Sequence, residues 1–261
     1  YLGVHMEGPY LSKEYKALMN ETYLRDPVIS ELDEMLEANP NIKVMTIAPE
    51  REGMEEFIPY IVSKSIVPMI GHTASSAKEA LRGLDLGAKG FTHLYNAMSQ
   101  HTHRNPGCVT AALEHKNSYK ELIMDGFHND VEVVKASWRI LGPEEIIMIT
   151  DCMLGKGMPD GEYTFSELRC RKVGNTVRVI ETGRIAGSAI SMNDAARFVK
   201  DNCNATARDI VQIGCVNPAN LLKLDHVGTL NIGCKANIAV FDENYHTEMV
   251  YVNGERKWQK N

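Results

Sequence analysis

The sequence has no apolar run long enough to cross a bilayer, no Gly-rich dinucleotide fingerprint and no CxxC pair. The first absence removes a membrane-spanning helix, which needs about 20 consecutive, mostly apolar residues. The second removes the usual signature of a dinucleotide-binding open sheet. The third leaves six scattered cysteines, Cys108, Cys152, Cys170, Cys203, Cys215 and Cys234. They form neither a cysteine zinc site nor a disulfide framework, and they read as reduced thiols of a cytoplasmic protein. Positive charge is in deficit too: 28 Lys and Arg stand against 34 Asp and Glu, a formal net charge of -6. Such a surface gives no reason to expect nucleic acid or an anionic membrane as a partner, although a local basic pocket can still hold a small anion.

What is present is an ordinary globular composition, 44% hydrophobic and 24% charged over 261 residues. That length suits one large α/β domain, or one such domain with a small appendage. Short apolar runs at 2–6, 43–48, 66–71, 90–93, 121–124 and 146–150 are predicted strands. Amphipathic stretches at 27–38, 53–63, 75–86 and 130–141 are predicted helices lying between them. This alternation predicts parallel βαβ units. Beyond Asp151 the pattern changes to a β-hairpin over 169–181, turning at Gly174-Asn175, and then to helices over 191–203 and 205–215. The tail carries predicted strands at 236–241 and 249–252. The expected division is a (β/α)-barrel over 1–225 and a small β module over 226–261. The chain opens without Met, inside a predicted strand, so further strands are expected upstream.

Polar residues stand at the end of one predicted strand after another: Glu7, Glu50, His72, His93, His128 and Asp151. A closed barrel collects its active site there, whereas an open sheet concentrates it at one switch point. Glu7, His72 and His93 make a carboxylate and two imidazoles on three separate strands, a set suited to a divalent ion with one position left for water. Any one of these histidines taken alone reads more readily as a structural or surface residue. Asp151 can carry a proton to and from a reacting water, or can simply cap a loop. Arg104, in a polar loop with His101 and His103, reads either as an anion ligand or as a solvent-exposed side chain.

Local strings add a family resemblance. His5-Met6-Glu7-Gly8-Pro9, Ala48-Pro49-Glu50, Gly71-His72-Thr73, Thr92-His93-Leu94-Tyr95-Asn96-Ala97-Met98, Asp125-Gly126-Phe127-His128, Thr150-Asp151 and Gly187-Ser188-Ala189 occur in that order. Together they resemble the N-acetylglucosamine-6-phosphate deacetylases of the amidohydrolase superfamily, and the Thr92–Met98 string is the most specific. The resemblance implies a (β/α)8 TIM-barrel of the metal-dependent amidohydrolase type, N-terminally incomplete here, with a small β-sandwich module. It implies Glu7, His72 and His93 as ligands of a divalent metal ion (Zn, Fe, Mn, Co or Ni). Asp151 becomes general base and then general acid, and His128 assists it at the substrate. Asn96 and the Ala97 backbone become phosphate ligands, helped by an Arg104 supplied across a homodimer interface, while Met192 lines the acetyl pocket. The implied substrate is an amino-sugar phosphate, deacetylated in the cytoplasm. One position departs from the family: Met19 stands where its members usually carry a histidine. Two other readings remain open at this point. One is an amidohydrolase acting on a cyclic amide, and the other is a chain that keeps the pocket without turnover.

Overall fold

The computed structural model describes residues 1–165 and 167–260. They divide into two compact units, Tyr1–Glu121 and Leu122–Asn261.

The first unit is built on parallel strands. β1 (Val4–Glu7), β2 (Ile42–Ile47), β3 (Val67–Ile70), β4 (Gly90–Phe91) and β5 (Tyr119–Ile123) pair in chain order, each parallel to the next. Helices α1 (Ile29–Ala38), α2 (Met54–Ser63), α3 (Ala77–Leu86) and α4 (Cys108–Glu114) intervene. β2 shows why the strands read as nearly unbroken apolar runs: all of it but Lys43 is buried, as in a parallel sheet covered on both faces. Ile42, Met45 and Ile47 pack with Leu32 of α1 and with Met54, Phe57, Ile58 and Ile61 of α2. Tyr10 closes this cluster, its ring edge-on to Phe57 at 4.8 Å.

The helix starts follow their capping chemistry. Ser76 and Glu79 form a reciprocal capping box at the start of α3, and Gly87 ends that helix at φ 131°. The predicted strands and helices of this unit all appear, with ends shifted by one or two residues. α4 was not anticipated. It is seven residues long, lacks a side-chain cap and buries Cys108, Val109, Ala111 and Ala112. Its small residues form a helix because neighbouring elements cover them, and no amphipathic period announces it.

The second unit begins with the end of β5, then α5 (Val131–Leu141) and β6 (Ile146–Ile149). An antiparallel sheet follows, made of β7 (Gly161–Phe165), β8 (Leu168–Val173), β9 (Thr176–Val179) and β10 (Ile185–Ser188) in the order β10-β9-β8-β7. The expected hairpin is its centre, β8 to β9, with Gly174 in the left-handed region at φ 56°. The two outer strands were not expected. The helix predicted over 205–215 is interrupted: α7 (Ala207–Val211) runs into a π-helical turn, Gln212–Val216, and then α8 (Asn217–Leu221). Asn217 explains the close fit there. Its buried Nδ2 donates to Pro143 O at 2.7 Å and to Ile146 O at 2.6 Å, so the start of α8 is tied to β6.

Between the antiparallel sheet and α7 lies α6 (Met192–Cys203), whose Asn193, Arg197 and Lys200 donate to the carbonyls of Tyr245, Asn244 and Glu243. These bonds hold the turn inside the last sheet, β11 (Ile238–Phe241), β12 (Thr247–Val252) and β13 (Glu255–Gln259). β13 was not predicted, because all five of its residues are exposed and carry no burial pattern. Among the described residues no helix is long and apolar enough to cross a membrane.

Phe57 is the largest apolar side chain that α2 buries, at 1% exposure. Phe57→Ala is expected to destabilise the fold by about 3–5 kcal/mol in urea unfolding. A loss below about 1 kcal/mol would mean that the site collapses around the cavity or that this core does not limit stability.

Candidate metal centre

Three strands deliver the site. β1 ends on Glu7, β3 runs through Gly71 into His72, and β4 runs through Thr92 into His93. Glu7 Oε1 lies 3.0 Å from His72 Nε2 and 2.8 Å from His93 Nε2. The two imidazoles meet edge to face, 4.9 Å apart at 82°. Both are 5% exposed, while Glu7 keeps 36% of its side chain open. One ligand atom from each of the three residues falls within 4.8 Å of the others.

The donor chemistry fits a cation. His72 Nδ1 lies 2.7 Å from the Tyr15 carbonyl oxygen, which can only accept, so Nδ1 carries a proton. In a neutral ring Nε2 then turns its lone pair toward a carboxylate oxygen 3.0 Å away. Two acceptors at that distance repel unless a proton or a metal ion stands between them. A tetrahedral ion with ligands at roughly 2.0–2.2 Å spaces its ligand atoms about 3.4 Å apart, so an outward movement of a few tenths of an ångström accommodates one. Burial by itself would raise the Glu7 carboxyl. When the rings of His72 and His93 also carry a proton on Nε2, their hydrogen bonds and charges outweigh that and hold it well below the usual carboxylate range.

The backbone is strained where the two histidines emerge. His72, His93, Tyr95 and Ala97 adopt φ of 47°, 33°, 77° and 49°. A non-glycine residue in this region costs of order 1–3 kcal/mol and persists only where its surroundings over-determine it. Gly71 shows how tight the exit is: a Cβ there would stand 2.9 Å from Thr46 Cγ2 and 2.9 Å from Thr92 Cβ. One step back along the strands lies a polar layer. His5 Nε2 meets Thr46 Oγ1 at 2.8 Å, and Thr46 Oγ1 meets Thr92 Oγ1 at 2.8 Å. Burial pushes His5 down to about 4, against the attraction of the Glu7 carboxylate. This layer was not foreseen. The one hint was Thr46, a polar residue in the otherwise apolar run 44–47 of β2.

The remaining candidates fall as follows. Asn96 is half-buried, with Nδ2 at 3.3 Å from both His93 O and Leu94 O. Ala97 O accepts from Thr73 N. Arg104 is exposed in the loop before α4. His101 is exposed, with Nδ1 at 3.0 Å from Thr110 Oγ1. In the second unit, His128 Nδ1 meets Asp125 Oδ2 at 2.7 Å, and Asp125 also accepts from the Phe127 and His128 amides. These bonds outweigh burial and lower the Asp125 carboxyl. Asp151 follows β6, exposed and left-handed at φ 46°, and the next residue, Cys152, bridges to Ser188 of β10. Met192 opens α6 and is 41% exposed.

Parallel strands alternating with helices put a carboxylate and two histidines that could hold a metal ion at strand C-terminal ends, where a (β/α)-barrel collects its active site. Residues 67–258 match the amidohydrolase family, and the chain belongs to it. Its matched relatives are amino-sugar-phosphate deacetylases. The chain is 32% identical to the N-acetylgalactosamine-6-phosphate deacetylase of Escherichia coli O157:H7, over 97% of its own length and 67% of that protein. It is also 32% identical to the N-acetylglucosamine-6-phosphate deacetylase of Bacillus subtilis, over 97% and 64%. The chain therefore spans about two thirds of these relatives.

Among solved structures, it superposes with a TM-score of 0.91 on a variant of the Mycobacterium smegmatis N-acetyl-D-glucosamine-6-phosphate deacetylase in complex with N-acetyl-D-glucosamine-6-phosphate. That match is 33% identical and covers 97% of this chain and 68% of the other. The Thermotoga maritima deacetylase superposes at 0.93, with 29% identity and 99% and 70% coverage. The fold class is accordingly the TIM-barrel of the amidohydrolases, joined by antiparallel sheets.

Because both histidines meet one carboxylate oxygen, losing either one leaves two ligands. His93→Ala is expected to weaken divalent-ion affinity by at least about tenfold, read as metal retained after dialysis. Unchanged metal content would remove His93 from the ligand set.

Proposed function

We propose that the chain carries the site of a deacetylase that hydrolyses N-acetylglucosamine 6-phosphate to glucosamine 6-phosphate and acetate, in the breakdown of amino sugars. The observation that carries this is the convergence of Glu7, His72 and His93 on one carboxylate oxygen. The relatives' names supply the substrate class. Glu7 Oε1, His72 Nε2 and His93 Nε2 hold the divalent ion, which is Zn, Fe, Mn, Co or Ni. When bound, that ion supplies Lewis-acid polarisation of the acetamide carbonyl and lowers the pKa of water.

The chain's own residues do the rest. Asp151 takes the proton of the attacking water at its carboxylate. The water oxygen bonds to the acetamide carbonyl carbon, the C–N bond breaks, and Asp151 returns that proton to the sugar nitrogen as acetate departs. His128 donates its Nδ1 proton to Asp125, which leaves Nε2 to contact the substrate. Asn96 and the Ala97 backbone bind the phosphate together with Arg104, which we place across a homodimer interface, and Met192 packs on the acetyl group. Phosphate binding far from the reacting bond orients the acetamide. Residues 226–261 form part of a small β-sandwich beside a barrel made by 1–225, and the enzyme works in the cytoplasm.

Asp151→Asn is expected to preserve fold and metal content while lowering kcat by at least about 100-fold, because only the proton carrier is lost. The check is acetate release alongside metal analysis, and turnover within about tenfold of wild type would exclude the role. Arg104→Ala should raise KM for N-acetylglucosamine 6-phosphate by about tenfold or more, and much less for unphosphorylated N-acetylglucosamine. Equal effects on the two sugars would refute a phosphate contact. Running the same assay on the galactosamine epimer tests the choice of sugar.

A further inference from the structure

Glu50 stands three residues beyond the end of β2 and outside the Glu7, His72, His93 group, yet both of its carboxylate oxygens are engaged. Thr73 Oγ1 donates to Oε2 at 2.5 Å, and Ala74 N donates to Oε1 at 2.7 Å. Thr73 Oγ1 in turn accepts from Ser75 N at 3.0 Å. The turn gripped in this way is the one that leaves His72, whose left-handed backbone needs an external hold.

The other edge of that turn is bonded to the segment that follows His93. Thr73 N donates to Ala97 O at 3.2 Å, and Ser99 N donates to Thr73 O at 3.0 Å. Ser99 Oγ donates to Ser75 O at 2.5 Å and accepts from Cys108 N at 2.7 Å. One carboxylate therefore fixes a turn shared between the exit of β3 and the 96–99 segment.

We propose that Glu50 is a positioning residue: through Thr73 and Ala74 it aims the His72 ring at Glu7 and keeps the Asn96–Ala97 segment in register with it. The proposal rests on the metal and phosphate assignments above. Glu50 touches neither ion nor sugar. Its requirement is two acceptor oxygens facing two donors, an O–H and an N–H. An amide of the same shape offers one oxygen and sets an NH2 against the second donor. Supporting groups of this kind orient ligand histidines, and their loss costs about 10–100-fold in metal affinity or activity.

The test uses the full chain, stripped of metal, as wild type, Glu50→Gln, Thr73→Ser and Thr73→Val. Imidazole 15N spectra of the metal-free proteins report the His72 tautomer. Wild type and Thr73→Ser, which keeps the hydroxyl, are expected to show one Nδ1–H form. Glu50→Gln and Thr73→Val are expected to show averaged tautomers. Titration with Co2+ should give Kd values about 10–100-fold weaker in the latter two, with altered d–d bands. Their kcat should fall while KM for N-acetylglucosamine 6-phosphate rises, because both ends of the clamp move.

A folded Glu50→Gln with an unchanged His72 spectrum and a Co2+ Kd within about threefold of wild type would overturn the proposal. Should wild type take up no Co2+, the metal assignment fails, and the tautomer comparison alone decides the clamp. Should Glu50→Gln fail to fold, the contrast between Thr73→Ser and Thr73→Val decides it.

Discussion

One carboxylate oxygen shared by two imidazoles organises the first unit. Glu7 Oε1 receives His72 Nε2 and His93 Nε2 within 3.0 Å, from three different strands. The arrangement is costly in isolation. It places an anion among half-buried and buried groups and, with the Tyr15 carbonyl holding the Nδ1 proton of His72, leaves a lone pair facing that anion. A positive charge at the focus turns each of these costs into an attraction. The electrostatics of these three side chains thus specify the sign of what binds there, which a count of nearby ligand atoms does not do.

The surroundings serve this focus. Left-handed residues at 72, 93, 95 and 97 bend the chain sharply out of the sheet, so that side chains at strand ends converge instead of diverging. Strain of that kind needs fixed partners. The strand pairings supply them below, the Thr46–Thr92 contact fills the layer beneath, and the 72–75 and 97–99 segments bond to each other above. Gly71 is where this packing leaves no room for a side chain. The second unit repeats the theme at Asp151, another left-handed residue following a short apolar strand. It also fixes His128 by a carboxylate three residues away.

Much of the fold was legible because parallel strands buried on both faces must be continuously apolar and helices must alternate with them. That is why β2, β3 and β6, with α1, α2, α3 and α5, stood out. The elements that escaped lack such a period. α4 is too short and built of small residues, and β13 is exposed throughout. The π-helical turn is invisible in a pattern of apolar positions, because it adds one residue to a helix for the sake of a tertiary fit.

By itself, the sequence determined the residue types and their order: a carboxylate and two histidines at strand ends, and the strings around them that mark the family. Residue identity and local pattern carry that much, since strand and helix periods are properties of neighbours in the chain. Only the tertiary structure decided that Glu7, His72 and His93 meet at a single oxygen, that a loop carbonyl from Tyr15 sets the His72 proton, and that Glu50 grips the turn beyond it. The pairs involved are 65 and 86 residues apart for Glu7 with His72 and His93, and 57 for the carbonyl. Their distances depend on strand register and on backbone angles that no local propensity favours, so they exist only once the sheet has assembled.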